Sequence, residues 1–274
     1  MRITLLLLLV VSLFISSCGN FAKVQKSKDP EYKLKKADEY FAKKKYRYAQ
    51  QLYEELFTVY KGNTKFEDLY YKYAYSFYNM GLYRDAENLF KGYLEVFPTS
   101  PRAEEIDYMR AYSFYKQSPK IDLDQSNTQK SMMMMQTFIN THPGSPRNKE
   151  ASEIIDKSRL KLESKEARSA KLYYDLGHYR AAGIAYNDLM NNFPESLKAE
   201  DYKIQVIKSY FKFAQLSIES RKLERFEKVI QECDDFVDRF PDGTLRKEAE
   251  SYKNLSLNQI KELKNEQNPS SAKL

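Results

Sequence analysis

Residues 70–98, YYKYAYSFYNMGLYRDAENLFKGYLEVFP, decide the fold. Tyr70, Tyr73 and Phe77 recur at intervals of three and four, so they share one face of a helix. Ala74 is small where a second helix must approach. Gly81 ends the first helix, because only glycine enters the left-handed region without cost. Ala86, Phe90 and Tyr93 form the facing stripe of a second helix. Phe97-Pro98 stops it, since the residue before a proline is driven out of the α region. The segment therefore predicts a helical hairpin with one buried seam.

The same spacing recurs along the chain. Ala49, Ala86, Ser131, Ala182 and Val229 each precede by eleven residues Tyr60, Phe97, His142, Phe193 and Phe240, and four of those five are followed by Pro98, Pro143, Pro194 and Pro241. The small residue of the first helix recurs as Ala37, Ala74, Ala111 and Ala170, with Tyr40, Phe77, Phe114 and Tyr173 three residues later. A fixed period of this kind is the signature of stacked repeats, and the pattern is similar to that of tetratricopeptide (TPR) repeats. The expected fold is all-α, a solenoid of about five TPR-like hairpins. Only 8 Gly and 9 Pro interrupt 274 residues, as long helices require.

The units are not uniform. A longer loop is expected over 117–129. A single helix of up to about 30 residues is expected between Pro146 and Gly177, a span free of internal Gly and Pro. Repeat five has a looser first helix carrying Ile204, Ile207, Phe211 and Ala214. A final helix near 245–263 would cap the last repeat, and residues 265–274 read as a disordered tail. The boundaries expected are 1–17, 18–29, 30–145 for repeats 1–3, 146–264 for repeats 4–5 with the cap, and 265–274.

The N-terminus reads as an address. Met1-Arg2 precedes an apolar run, Ile3 to Ile15, the length of a signal-peptide core and short for a bilayer span. It ends in Ile15-Ser16-Ser17-Cys18-Gly19, which is similar to a bacterial lipobox, so Cys18 is the expected lipid attachment site. Residues 20–29, with Lys23, Lys26 and Lys28, read as a solvated tether. Net charge is +7, of which residues 1–17 hold only Arg2. This mild excess suits an anionic membrane surface or acidic partners. Nucleic acid is not expected, because the lysines are interspersed with Asp and Glu.

No catalytic or cofactor constellation is present: no HExxH, CxxC, GxSxG, Walker loop or GxGxxG. Neither His142 nor His178 has a second ligand at metal spacing. No cofactor, metal or small-molecule substrate is expected. Glu54-Glu55 and Asp234-Asp235 read as solvated faces. Cys233 takes the core slot four residues after Val229, and Met135 takes the same slot in a run, Met132 to Met135, that must leave one or two side chains exposed.

A binding stripe can be read from the first helices. It comprises Tyr71, Tyr75 and Tyr78 in repeat two and, 37 residues on, Tyr108, Tyr112 and Tyr115 in repeat three. The same slots hold Leu34, Asp38 and Phe41 in repeat one, and Ala167, Lys171 and Tyr174 in repeat four. Tyrosine offers area at low entropic cost plus a hydroxyl, which suits an extended peptide with aromatic side chains. These rings could equally pack against neighbouring repeats.

Lipobox, tether, TPR-like units with Phe-Pro ends and chain length together resemble the BamD family, also called YfiO or ComL, the lipoprotein subunit of the outer-membrane β-barrel assembly machinery. The resemblance covers nearly all of the chain after Cys18. It implies an outer-membrane anchor and a periplasmic body docked on a BamA-like barrel subunit. It also implies N-terminal repeats that receive the aromatic-ended C-terminal segment of unfolded outer-membrane proteins. The competing reading is a different periplasmic TPR lipoprotein that organises cell-wall or secretion machinery.

Overall fold

The structure, a computed structural model, describes residues 20–267. The leader, Cys18 and the last seven residues lie outside the described residues. Within them, every regular element is a helix. After a helical stretch over 20–25 come α1 (Pro30–Ala42), α2 (Tyr46–Tyr60), α3 (Phe66–Asn79), α4 (Tyr83–Val96), α5 (Ala103–Lys116), α6 (Ser126–Thr141), α7 (Asn148–Asp175), α8 (Tyr179–Asn192), α9 (Ala199–Gln215), α10 (Glu219–Arg239) and α11 (Arg246–Gln267). Helices pack in chain order, α1 on α2, α3 on α4, α5 on α6 and α9 on α10, Ala170 of α7 shares a core with Tyr186 and Leu189 of α8, and α11 also touches α9. The fold is thus all-α, with five hairpins and a capping helix.

The crossing points explain the pairing. Ala37, Ala74, Ala111 and Ala170 on the first helices are fully buried, as are Ala49, Ala86, Ser131, Ala182 and Val229 on the second helices. A larger side chain at any of them would separate two backbones packed at close range. Aromatic rings fill the space around the crossings: Tyr53, Phe90, Tyr93, Phe226 and Phe236 have no exposed surface. Gly92 extends the same logic, because a methyl there would overlap the Tyr70 hydroxyl.

The turns inside three of the hairpins share one geometry. Gly81 and Gly177 have φ of 78° and 79°, each seven residues after the buried alanine of its first helix. The amide of the next residue returns to the carbonyl five back, Leu82 to Phe77 at 3.0 Å and His178 to Tyr173 at 2.9 Å. This is a Schellman closure. In repeat one Lys44 occupies the equivalent position with φ 57°, a left-handed conformation that costs a side-chain-bearing residue about 1 kcal/mol.

A second device links each hairpin to the next. Glu67, at the start of α3, accepts from the Tyr93 hydroxyl (2.8 Å) and from Ser100 (2.7 Å) in the turn after α4. Ser100 also accepts the Arg102 amide at 3.0 Å and so opens α5. Glu104 with Ser145 (2.5 Å) and Glu163 with Ser196 (2.5 Å) repeat the arrangement. Glu31 takes the Tyr60 hydroxyl at 2.9 Å in repeat one. An acid of one unit thereby fixes the entry of the following unit.

Several expectations are corrected. The segment read as a solvated tether is helical over 20–25. Val24 is 4% exposed, and the Phe21 ring lies 4.5 Å from Tyr48. Two apolar residues three apart are too few to show a period, yet they suffice to pin a single turn. Asp29, at its end, caps α1 by accepting the Glu31 and Tyr32 amides. The last helix runs to Gln267, into the segment read as tail. The loop after α5 is shorter than expected because α6 begins at Ser126. Gln125, 5% exposed, ties that loop by donating to the carbonyls of Lys120 and Leu123.

The chain divides into two compact units between Arg159 and Leu160, inside the 28-residue α7, rather than at 145/146. The first unit has an aromatic core. In the second, Lys203 is 1% exposed and reaches Glu232 and, at 2.5 Å, Asp235. Asp235 is therefore not a freely solvated acid. Burial opposes ionisation of Glu232, but hydrogen bonds from Lys203 and from Lys228, the latter at 2.8 Å, hold its carboxyl below the usual range. Cys233 is 1% exposed and burial pushes its thiol up to about 12, so it supplies no thiolate at neutral pH. Met135 is fully buried and Met133 is 61% exposed.

Three substitutions test these stabilising contacts. Nothing lies within 4 Å of a Cβ added at Gly81, so Gly81→Ala acts through the backbone alone and should cost about 1 kcal/mol in urea unfolding. Lys44→Gly should shift the midpoint the other way. Ser100 and then Tyr93 hold the Glu67 carboxyl below its ordinary value. Its contribution is present above the unfolded value, near pH ~4.3, and is lost as pH falls through the lower folded value. Glu67→Gln should therefore flatten the loss of stability on acidification, read as urea midpoints from neutral pH downward.

Candidate peptide interface

The expected stripe of first-helix residues is brought together in the first unit, but its members are not alike. Tyr71 and Tyr75 on α3 have rings 4.6 Å apart, and both hydroxyls donate to Glu105 Oε1 on α5, at 3.0 and 2.5 Å. Burial and then Glu105 raise the Tyr75 phenol above its ordinary range. The Arg102 guanidinium lies 4.4 Å from the Tyr71 ring centre and bonds Asp68 at 3.0 Å. These two tyrosines are therefore locked, with their hydroxyls already engaged.

Tyr78, Tyr112 and Tyr115 continue the wall. Tyr78 stands 6.2 Å from Tyr75 and 6.4 Å from Tyr112, and Tyr112 stands 5.7 Å from Tyr115. All three are half-buried. Desolvation pushes the Tyr78 phenol up to about 12. A half-exposed ring with an unengaged hydroxyl is the kind of group that reads a peptide: the face takes an apolar or aromatic side chain, the hydroxyl a backbone amide or carbonyl.

Two of the expected residues are placed in the core instead. Tyr108 is 2% exposed, stacked on Tyr112 at 5.7 Å, edge-on to Phe138 at 5.4 Å and capped by Arg147 at 4.7 Å. Its 37-residue equivalence to Tyr71 does not carry over, because α6 and the turn into α7 close over it. Leu34 is 9% exposed for the same kind of reason, being packed against the core of the first unit. Phe41 stays half-buried beside Tyr46 (5.6 Å) and Tyr53 (6.4 Å). Asp38 accepts from Tyr53 at 2.8 Å and pairs with Lys72 at 2.9 Å. Between α1 and α3 an open groove of about 700 Å³ is lined by Leu34, Asp38, Asp68 and Leu69 among others. Tyr174 belongs to the second unit, half-buried with its ring 5.1 Å from Tyr179.

Sequence reasoning missed the charged partners of the wall, Arg102, Glu105 and Arg147. A signal existed: Ser100-Pro101-Arg102 recurs as Ser145-Pro146-Arg147. In each copy the serine opens a helix and the arginine lies over a stripe tyrosine. A cation over an aromatic face is worth about 0.5–1 kcal/mol at an exposed site and more when desolvated.

Among the described residues no group of His, Cys, Asp and Glu is arranged to hold a metal ion. His142 instead bonds Asp107 at 3.3 Å and packs on Phe138. No described helix is long and apolar enough to cross a membrane.

Comparison with known proteins gives one family. The sequence profile described as "YfiO: Outer membrane lipoprotein" matches residues 26–212. No curated protein matches the chain. Among solved structures, the TPR2AB-domain:pHSP90-complex of yeast Sti1 is similar over 85% of this chain and 84% of that chain, at 13% sequence identity and a TM-score of 0.39. So distant a likeness adds nothing to the helix order seen directly.

The locked half of the wall can be opened by one substitution. Glu105→Ala removes the acceptor of two phenols, so Tyr71 and Tyr75 should ionise at lower pH than in the parent chain. Stability should fall by about 1–3 kcal/mol. Ultraviolet phenolate titration and urea unfolding read the two effects separately.

Proposed function

The chain belongs to the YfiO family of outer membrane lipoproteins, and from that premise we propose that it is a lipid-anchored scaffold of β-barrel assembly in the periplasm. In this reading Cys18 carries the lipid. The first unit receives the C-terminal segments of unfolded outer-membrane proteins, and the body docks on a BamA-like barrel subunit. No step of catalysis is assigned to any residue.

The observation that carries the reading is the tyrosine wall on α3 and α5. A segment ending in an aromatic residue would place that ring against Tyr78, Tyr112 and Tyr115, while Tyr71 and Tyr75, fixed by Glu105, supply a preformed floor. Preorganisation matters because every side chain ordered on binding costs about 0.5–1.5 kcal/mol. Asp38 and Asp68, at the neighbouring groove, offer acceptors to the backbone or to a basic residue upstream in the bound segment. Arg147, held over the Tyr108 ring, keeps positive charge next to the wall for a terminal carboxylate, whereas Arg102 is already paired with Asp68.

Tyr78→Ala with Tyr112→Ala should weaken binding of a peptide ending in phenylalanine by at least ~10-fold. Both rings pack on the core of the first unit, so the melting temperature should fall as well, and affinity is compared at a temperature where the helical spectrum shows the variant folded. Fluorescence anisotropy of a labelled peptide measures the affinity, and an unchanged value refutes the wall as the receiving surface. In cells, depletion should lower the level of barrel proteins in the outer membrane. Unchanged levels would assign the chain to a different envelope scaffold.

A further inference from the structure

The basic excess of this chain is confined to one end. Residues 20–48 contain ten Lys and Arg against four Asp and Glu, a net of +6. Residues 49–274 contain 34 of each and are neutral. The dispersed lysines of the whole sequence conceal this, because acids accompany them everywhere except here.

The fold turns that segment into a lined cavity. Phe21 packs on Tyr40 (5.8 Å) and Tyr48 (4.5 Å), and Val24 enters the core, so the helical stretch 20–25 is pinned to α1 and to the start of α2. Between them lies a cavity of about 320 Å³ whose walls include Lys23, Lys36, Lys43 and Lys45 with Tyr32, Tyr40 and Tyr48. Glu39 is the one acid of its lining and pairs with Lys36 at 2.8 Å. Lys23, Lys43 and Lys45 are exposed and, among the described residues, make no ion pair. Three uncompensated ammonium groups around an aromatic cavity favour an anion, and tyrosine rings suit the boundary between water and acyl chains.

Chain reach names the source of that anion. Cys18 is two residues from Asn20, which lines the cavity. Two residues span at most about 7 Å. A lipid on Cys18 would therefore hold Asn20, at the edge of the cavity, within about one Debye length of the bilayer surface at physiological salt. We propose that the Lys23–Lys36–Lys43–Lys45 cavity is a seat for the phosphate-bearing headgroup of an anionic membrane lipid, which fixes the orientation of the first unit on the bilayer. The acyl chains would supply attachment and the headgroup seat would supply orientation. Two weak signals together anchor more stably than one.

This inference rests on acylation at Cys18 and is independent of peptide capture by the tyrosine wall. The test uses the full protein extracted from membranes, its intact mass reporting acylation, reconstituted in nanodiscs of phosphatidylcholine alone or with phosphatidylglycerol. Lysine acetylation rates are read by mass spectrometry. Lys23, Lys36, Lys43 and Lys45 should be protected several-fold in anionic discs only, with Lys212, Lys247 and Lys261 unchanged and the protection lost at high salt. In anionic discs, Lys23→Glu with Lys43→Glu and Lys45→Glu should abolish protection of Lys36 without lowering the melting temperature. Equal labelling in the two kinds of disc, protection spread evenly over all lysines, or the same protection from inorganic phosphate without a bilayer would each overturn the proposal, as would an unmodified Cys18.

Discussion

The whole structure depends on how closely two helical backbones can approach. At each crossing the side chain is Ala, Ser or Val, with no exposed surface, and that restriction sets the distance at which everything else packs. Once the backbones are close, the aromatic residues three and four positions away have only one place to go. They interleave around the crossing and add apolar burial, at roughly 25 cal/mol per Å² of surface removed from water. The turns follow from the same demand. A short, reversible path between two closely packed helices needs one left-handed residue, which glycine supplies at Gly81 and Gly177, while Lys44 adopts the conformation against its own preference.

Connection between units is a separate problem, and the chain solves it with polar chemistry. Glutamates on the first helices accept hydroxyls from the turn that ends the same hairpin, and in three repeats the serine concerned also opens the next helix. Tyr93 shows why this is favourable: its ring is wholly buried, and a buried phenol without a partner would cost about 1–3 kcal/mol. The acid therefore completes the core and fixes the entry into the next hairpin at once.

The hairpins were legible in the sequence because small and aromatic residues recur at constant offsets, and constant offsets report helix faces directly. The internal conformation of the long α7 was legible from the absence of Gly and Pro. What stayed hidden depends on neighbours distant in sequence. Tyr71 and Tyr108 occupy equivalent positions, yet one is part of a half-open wall and the other is sealed beneath α6, since the two repeats have different following turns. Leu34 is withdrawn in the same way. Phe21 and Val24 form a face too short to register as a period, so a packed turn read as a solvated tether. The glutamate–serine links carry no hydrophobic period at all. Asp235 looked like half of an exposed acid pair until its partner Lys203 was seen to be buried.

That last trio constrains how the second unit can change over generations. A lysine ammonium with almost no contact with water tolerates its position only because Glu232 and Asp235 meet it there. Loss of one member leaves a charge stranded in a low-dielectric interior, whereas concerted replacement by apolar groups of matching volume can be nearly neutral. Lys203 and Glu232 should therefore behave as one inherited character, retained together or exchanged together, and lineages that split the pair should be rare.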